Sequence, residues 1–150
     1  MKILAAAVLA LVSSVQTPAT PNFSGDWKMN PGKSDFGGLP APSSMTRTIT
    51  HAEPLMKIVE TQRSDMGDQN TTRTYTINGS PTTFTSQGAE VRTQAEWAGA
   101  TLLVTSSVEA IGVTFKDRMT LSADGRTLTS LVHIASPQGE VDITVVFEKQ

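Results

Sequence analysis

Two ionisable residues stand in stretches whose alternate residues are otherwise mostly apolar. Positions 113, 115, 117, 119 and 121 of the stretch Val113–Leu121 all hold apolar residues except for Asp117. Arg47 occupies one of the corresponding alternate positions, 45, 47, 49 and 51, of the stretch Met45–His51. A carboxyl group in an apolar cavity has a raised pKa and can act as a general base. We favour the alternative that Asp117 pairs with an arginine or stays hydrated, because an isolated buried charge is strongly unfavourable. If Asp117 and Arg47 both point inward, a solvated cavity would accommodate them.

Other catalytic chemistries lack the residues they need. The only histidines, His51 and His133, lie far apart in the sequence, and there is no cysteine to complete a metal site. The serines lack the Gly-x-Ser-x-Gly pattern of a nucleophile elbow. We therefore predict no metal site, no cofactor and no catalytic constellation. An enzyme is a distant alternative that depends on Asp117 as a general base.

The chain has the length and charge of a single acidic domain. It contains 150 residues with a formal net charge of −2 at pH 7. This length suffices to bury a hydrophobic core without metals or disulfides. The negative charge favours neither nucleic acid nor an anionic membrane as a partner.

The first residues predict an exported protein. Met1–Ser14 has one early lysine, an apolar run and then small residues, as in a secretory signal peptide. The run is shorter than the roughly 20 apolar residues that a membrane span needs, so we expect no membrane insertion. We predict a signal peptide at 1–14, a linker at 15–22 and one domain at 23–150, exported to the periplasm or secreted.

After residue 22 the sequence alternates apolar and polar residues in short runs separated by turns. The runs are rich in Thr, Val and Ile, and the turns contain Gly with Asn, Asp or Gln. Such turns are typical of β-hairpins. We predict ten strands, the first at Phe23–Met29 and the fourth at Thr71–Ile77. The predicted fold is all-β, a single antiparallel up-and-down β-barrel of about 8 to 10 strands.

Alternation along the strands also predicts which side chains line the interior, because successive residues of a strand point to opposite faces. The predicted inner face is apolar and partly flexible, which suits an irregular apolar ligand. Its residues are Met56, Ile58, Val104, Phe115, Asp117, Met119, Ile143, Val145, Phe147 and Arg47.

Three motifs resemble the calycin superfamily, which contains the lipocalins and the fatty-acid-binding proteins. The Gly25-Asp26-Trp27 segment within "FSGDWK" resembles the Gly-x-Trp that opens their first strand. The segment "AEWAGATLLV" resembles a late hairpin of fatty-acid-binding proteins, and Ala123–Lys149 resembles their last hairpin. The resemblance implies a lipocalin-like barrel in which Gly25 and Trp27 plug one end.

The sequence departs from that pattern at two places. Val145 and Phe147 stand where the resemblance would place the arginine and tyrosine of a carboxylate clamp, so such a clamp is absent there. The Pro- and Gly-rich stretch Pro31–Ser44 replaces a helical lid, and we expect it to fold over the barrel mouth through Phe36 and Leu39. The opening segment also resembles exported bacterial proteins of lipocalin-like type, which implies no particular activity.

Two functions remain. The first is a carrier that binds a small apolar ligand inside the barrel. The alternative is a non-enzymatic structural or interaction module of the cell envelope, with a filled core and an envelope protein or glycan as its partner. A hollow interior would favour the carrier, and a dry, filled core would favour the module.

Overall fold

A computed structural model describes residues 19–150 of the protein. These residues form ten strands, and two short 3-10 helices lie at Pro31–Lys33 and Glu109–Ile111. The prediction of an all-β, antiparallel up-and-down barrel is confirmed. The strands are β1 (Gly25–Met29), β2 (Ser44–Ala52), β3 (Leu55–Ser64), β4 (Gly67–Thr76), β5 (Thr82–Ser86), β6 (Ala89–Ala98), β7 (Thr101–Val108), β8 (Val113–Leu121), β9 (Thr127–Ser136) and β10 (Gly139–Lys149).

Two strands begin two or more residues away from their predicted starts. β1 starts at Gly25, after Phe23 and Ser24 have crossed the closed end of the barrel. β4 starts four residues early, at Gly67, because the β3–β4 turn is only two residues long and Gly67 already pairs with Ser64. A glycine with a φ of +110° tolerates this tight reversal.

Every strand pairs with its neighbours along the chain, except at one gap. β1 also pairs with β10, so the sheet curls round until only β4 and β5 remain as edges. An isolated bridge between Ile77 and Ala95 spans this gap at one end, where the Gly79 N–H donates to the Ala95 carbonyl at 2.9 Å. The barrel is therefore nearly closed, with one unpaired seam.

The hydrophobic core fills the end of the barrel where β1 begins. The largest side chains with almost no exposure belong to Trp27, Phe23, Phe147, Met56, Ile58, Leu102, Met119 and Leu128. Burial of such side chains contributes about 1.5 to 3 kcal/mol each to folding. This packing stabilises the barrel in a chain that has no cysteine.

The stretch between β1 and β2 lies along β10. The Asp35 N–H donates to the Thr144 carbonyl at 2.8 Å, and the Thr144 N–H donates to the Asp35 carbonyl at 2.7 Å. Phe36 packs against the core, whereas Leu39 is 46% exposed. The expectation of a lid is therefore wrong, because the backbone pairing holds this stretch against the barrel wall, where it extends the short β1.

The predicted signal peptide, residues 1–14, lies outside the described residues, as does the first half of the predicted linker 15–22. These boundaries stay predictions. Within residues 19–150, the structure contains no helix of the length and apolar character that crossing a membrane requires.

Candidate functional site

A cavity of about 580 Å³ lies inside the barrel against strands β2 to β9. Its lining reaches the exposed residues Gln87 and Ile111, so it opens at the end opposite the core. Apolar side chains cover much of the wall, and polar side chains from β2, β3 and β4 cover another part. The apolar lining residues are Ile58, Phe84, Ala89, Val91, Val104, Val108, Ile111, Phe115, Met119 and Val132.

The structure brings together six of the ten residues that the sequence assigned to the inner face. Around the cavity lie Arg47, Ile58, Val104, Phe115, Asp117 and Met119. The other four, Met56, Ile143, Val145 and Phe147, are not among its lining residues. Alternation identifies the side of a strand that faces inward, but it does not distinguish a cavity wall from the solid core below it.

Those four residues pack where the barrel is filled. Met56, Val145 and Phe147 are buried in the core, and Ile143 is partly buried against it. β10 contributes no cavity residue. The cavity is therefore off-centre, displaced from β1 and β10 towards the seam between β4 and β5.

Three charged residues form one wall of the cavity, which we call the charged wall: Arg47 on β2, Glu60 on β3 and Arg73 on β4. Both arginines donate to the same oxygen, Glu60 Oε2, Arg47 through Nε and Arg73 through Nη2 at 3.2 Å. The guanidinium carbon of Arg47 also lies 4.4 Å from the ring centroid of Phe147. One carboxylate thus holds two cations at the side of an apolar space.

Each arginine keeps one buried donor without a partner. Arg47 Nη1 and Arg73 Nε have no hydrogen-bond partner among the described residues 19–150. A buried donor left unsatisfied costs about 1 to 3 kcal/mol, and more when the group is charged. Both atoms have almost no accessible surface, so these two donors are enclosed by protein and the charged wall is incompletely satisfied.

The electrostatics of Glu60 follow from its two partners. Burial alone would raise the pKa of this carboxyl, but the charges and hydrogen bonds of Arg47 and Arg73 outweigh burial and lower its pKa below the ordinary value. Glu60 is therefore ionised, as are the two arginines that contact it.

Asp117 faces the same cavity from β8 and has a different partner. Ser130, which is fully buried, places its hydroxyl oxygen 2.6 Å and 2.8 Å from the two carboxyl oxygens of Asp117. Burial raises the pKa of Asp117, against the lowering effects of Arg47, this hydrogen bond and Arg73. The arginine pairing that we favoured for Asp117 is wrong, because within residues 19–150 its side-chain hydrogen-bond partner is Ser130, and Arg47 and Arg73 both bond to Glu60 instead.

The residues implied as a plug lie at the closed end. Trp27 is 1% exposed, and its indole Nε1 donates to the Phe23 carbonyl at 2.9 Å. Gly25 has a φ of +142°, and a Cβ there would lie 2.9 Å from Lys149 Cε. A glycine fits this position because it needs no side-chain space.

His51 also lies at the closed end, where its ring packs against those of Phe23 and Trp97. Its Nδ1 accepts the Phe23 N–H at 3.2 Å, so the proton of the neutral ring is on Nε2, which lies 2.9 Å from Glu53 Oε1. Trp97 Nε1 donates to the same Glu53 oxygen at 2.8 Å. These contacts give His51 a structural role away from the cavity. Within residues 19–150, no three His, Asp or Glu side chains are grouped as metal ligands.

A second hollow, of about 530 Å³, lies on the outer surface of β7 to β10. Its lining includes exposed side chains such as Lys116, Arg118 and Leu131. Exposed charges bind little because water already solvates them. The interior cavity is the stronger candidate, since its charged groups are buried.

Sequence reasoning missed Glu60, Arg73 and Tyr75, which also line the cavity. The signal was present in the alternation. Glu60 follows Ile58 by two residues on β3, and Arg73 and Tyr75 precede the buried Ile77 by four and two residues. Extending the inward face by two residues from Ile58 and by four residues from Ile77 would have identified the charged wall.

Comparison with known proteins shows which solved structures share this architecture. No family model matches the sequence, and no curated protein matches it. Among solved structures, a secretory abundant heat soluble (SAHS) protein from Ramazzottius varieornatus aligns with a TM-score of 0.64 at 12% identity, covering 87% of this chain and 98% of that one. The fold is a calycin-like barrel. At this identity the likeness shows the fold alone.

Two further structures share the fold. Fatty-acid-binding protein 1 of Echinococcus granulosus aligns with a TM-score of 0.60 at 14% identity, covering 85% of this chain and 96% of that one. The zebrafish ileal bile acid-binding protein, complexed with cholic acid, aligns with a TM-score of 0.60 at 15% identity, covering 85% of this chain and 98% of that one. The resemblance read from the Gly-x-Trp opening is thus confirmed at the level of the fold.

Proposed function

We propose that this protein binds a small, largely apolar molecule inside its barrel and carries it. The observation that supports the proposal is the interior cavity of about 580 Å³ with predominantly apolar walls. This volume lies within the range of about 300 to 1,000 Å³ that is usual for small-molecule sites. A dry, filled core was expected of a structural module, so the cavity does not favour that alternative.

The similar structures support the same proposal. The Echinococcus granulosus protein is named for fatty-acid binding, and the zebrafish protein holds cholic acid. Both ligand types combine an apolar body with a polar group. The cavity offers matching surfaces, with an apolar wall at Phe84, Val91 and Phe115 and the charged wall beside it.

We further propose that the carrier works outside the cytoplasm. The support is the signal-like sequence of residues 1–14. Mass spectrometry of the N-terminus, on protein purified from its own host, tests this step. An intact Met1 on the folded protein would contradict export by this route.

Titration with an uncharged, environment-sensitive naphthylamine dye tests the cavity. We expect saturable binding of one dye per protein, and we expect Phe115→Asp to weaken it at least about tenfold, because a carboxylate on the apolar wall must be desolvated when the dye binds. The matched control is Leu131→Asp, since Leu131 is 47% exposed on the outside of β9. Equal loss in both variants, or no saturable binding in the wild type, would contradict the proposal. Native mass spectrometry before and after organic extraction would then identify the natural occupant.

A further inference from the structure

The hollow on the outer surface of β7 to β10, the outer hollow, has opposite charges on its two sides. The exposed cations Lys116 and Arg118 lie on β8, and the exposed carboxylate of Asp142 lies on β10. β9 runs between these two strands and contributes Leu131 and His133 to the lining. The longest side chains of the hollow are therefore cationic and lie on one side of β9, whereas the acidic side chain on the other side is short.

Strand register arranges these side chains in two rows across β8, β9 and β10. Each row begins with a cation on β8 and ends with a short polar side chain on β10, so charge and side-chain length both change across β9. An isolated bridge to Thr144 adds the exposed Asp35 to the acidic side. The rows are Lys116–His133–Asp142 and Arg118–Leu131–Thr144.

Most of these charges are not neutralised within one copy of the chain. Among residues 19–150, neither Lys116 nor Arg118 forms a salt bridge. Asp142 Oδ1 lies 2.7 Å from His133 Nδ1, yet the Asp142 side chain is 87% exposed. Leu131, between the two charged sides, is 47% exposed. An exposed apolar side chain with charged ones around it matches the apolar centre and polar rim of a protein interface.

We propose that the outer hollow is the docking surface for a second copy of this chain, related to the first by a two-fold axis parallel to β9. The axis lies in the plane between the two copies and places β8 of each copy over β10 of the other. Lys116 then meets Asp142 of the second copy, and the two Leu131 side chains meet at the axis. This inference does not depend on the carrier function.

A two-fold dimer requires a surface that is complementary to itself. The outer hollow meets this condition, because a half-turn about an axis parallel to β9 exchanges β8 with β10 and leaves the position along the strands unchanged. Each row therefore meets its own copy in reverse order, with a cation over an acidic or hydroxyl group and a long side chain over a short one. Sheets that pack face to face keep their strand directions within about 30° of each other, which this orientation satisfies.

The chemistry of this surface predicts a weak dimer whose orientation is set by charge. Exposed ion pairs contribute little affinity, but complementary charges select the orientation and suppress other arrangements. The formal net charge of −2 on the whole chain gives only weak repulsion between two copies. The outer hollow lies on the wall of the barrel, so the dimer leaves the mouth of the interior cavity open.

Sedimentation velocity of the purified wild-type protein over a range of concentrations tests the association. We expect a reversible monomer–dimer equilibrium. Its dissociation constant is expected to rise at least about threefold from about 0.1 M to about 1 M NaCl, because the Debye length falls from about 10 Å to about 3 Å.

Charge reversal then locates the surface. Lys116→Asp and Asp142→Lys are each expected to weaken the dimer at least about tenfold, because each brings like charges together twice across the axis. An equimolar mixture of the two variants is expected to form a heterodimer, because both cross-copy pairs then join opposite charges. The matched control, Lys57→Asp, reverses an exposed charge on β3 and is expected to dimerise as the wild type does.

A further variant tests the axis without relying on the charge pairs. Leu131→Asp is expected to weaken the dimer at least about tenfold, because it places two carboxylates against each other at the axis. Circular dichroism establishes that each variant is folded, and all the altered side chains are exposed.

Three results would contradict the proposal. Wild-type protein that stays monomeric at every concentration would overturn the dimer. A dimer that persists in Lys116→Asp, Asp142→Lys and Leu131→Asp would overturn its assigned surface. Variants that are monomeric both alone and as a mixture would overturn the two-fold arrangement. Dye binding in the interior cavity is expected in monomer and dimer alike, so failure of the dimer leaves the carrier function standing.

Discussion

Arg47 shows how a charge is kept in the interior of this barrel. The side chain contacts the Glu60 carboxylate through Nε and the Phe147 ring through its guanidinium face. A buried charge without a partner is strongly unfavourable, and attraction to Glu60 offsets part of that cost. Since Arg73 uses the same carboxylate oxygen, Glu60 holds both guanidinium groups beside the cavity.

Asp117 is the residue whose ionisation should oppose folding. Burial raises the pKa of its carboxyl in the folded protein, whereas in the unfolded chain an aspartate has a pKa of about 3.9. Between these two pKa values the folded state binds more protons than the unfolded state. Stability from this group is therefore present at low pH and is lost as pH rises through the folded pKa.

Asp117→Asn should remove that loss. We expect the free energy of unfolding of the variant, relative to wild type, to increase from about pH 4 upwards and then level off, by about 1.4 kcal/mol for each unit by which the pKa is raised. Urea denaturation at several pH values measures it. Glu60, whose pKa is lowered, contributes to both proteins and largely cancels in the difference. A difference that is the same at every pH would show that Asp117 does not titrate as a buried group.

The stretch between β1 and β2 forms part of the barrel wall beside β10. Its backbone pairs with β10 at Asp35 and Thr144, and Ser34 Oγ accepts the Val146 N–H at 3.0 Å. Gly37 then passes so close to β10 that an added Cβ would lie 2.5 Å from the Asp142 carbonyl oxygen. No space for a side chain remains there.

Gly37→Ala is therefore expected to detach this stretch from β10. The variant combines a φ of +61° with a clash against backbone, and we expect a loss of about 2 to 4 kcal/mol in the free energy of unfolding. Gly38→Ala is the matched control, because Gly38 has a φ of +86° but nothing within 4 Å of its added Cβ, so only backbone strain of about 1 to 2 kcal/mol applies. Urea denaturation of both variants measures the difference. Equal losses would mean that the stretch is not held against β10 in solution.

The strands could be predicted from the sequence because local signals specify them. In β10, Val141, Ile143, Val145 and Phe147 alternate with mostly polar residues, and glycine turns bound nearly every strand. β4 is the exception, since "GDQNTTRTYT" is polar on both faces until Tyr75. Within that polar run, only Tyr75 and the following Ile77 show which side is inside, and Arg73 was missed because the inward face was not followed back from them.

The pairing of charges could not be predicted for a different reason. Arg47 and Asp117 were both recognised as charges on inner faces, yet their partners are Glu60 and Ser130, which lie on the strands next to their own. Partner choice depends on the register between strands, such as the opposition of Arg47 and Glu60, and register depends on turn lengths across the sheet. The family resemblance correctly implied the barrel fold, but it did not imply the positions of the arginines inside it.

At the scale of the whole molecule, the barrel is asymmetric. Core side chains and the Phe36 stretch fill the side at β1 and β10, while the cavity lies towards the seam between β4 and β5. Arg73 and Tyr75 line the cavity from one edge of the seam, and Phe84 lines it from the other. A ligand in the cavity would therefore contact both edges of the only unpaired seam in the described sheet.

This asymmetry predicts where the barrel opens. Strands at a sheet edge have hydrogen-bond partners on one side only, and local opening concentrates where pairing is sparse. We expect backbone amides in peptides from β4 and β5 to exchange with deuterium at least about tenfold faster than those from β9, which pairs with β8 and β10. Saturation with the uncharged naphthylamine dye should slow exchange in β4 and β5 selectively, because the dye would contact both edges, and Phe115→Asp should abolish that protection. If β4, β5 and β9 are equally protected from exchange without ligand, the seam is closed in solution. If the dye protects only β7–β10 from exchange, the dye binds in the outer hollow instead.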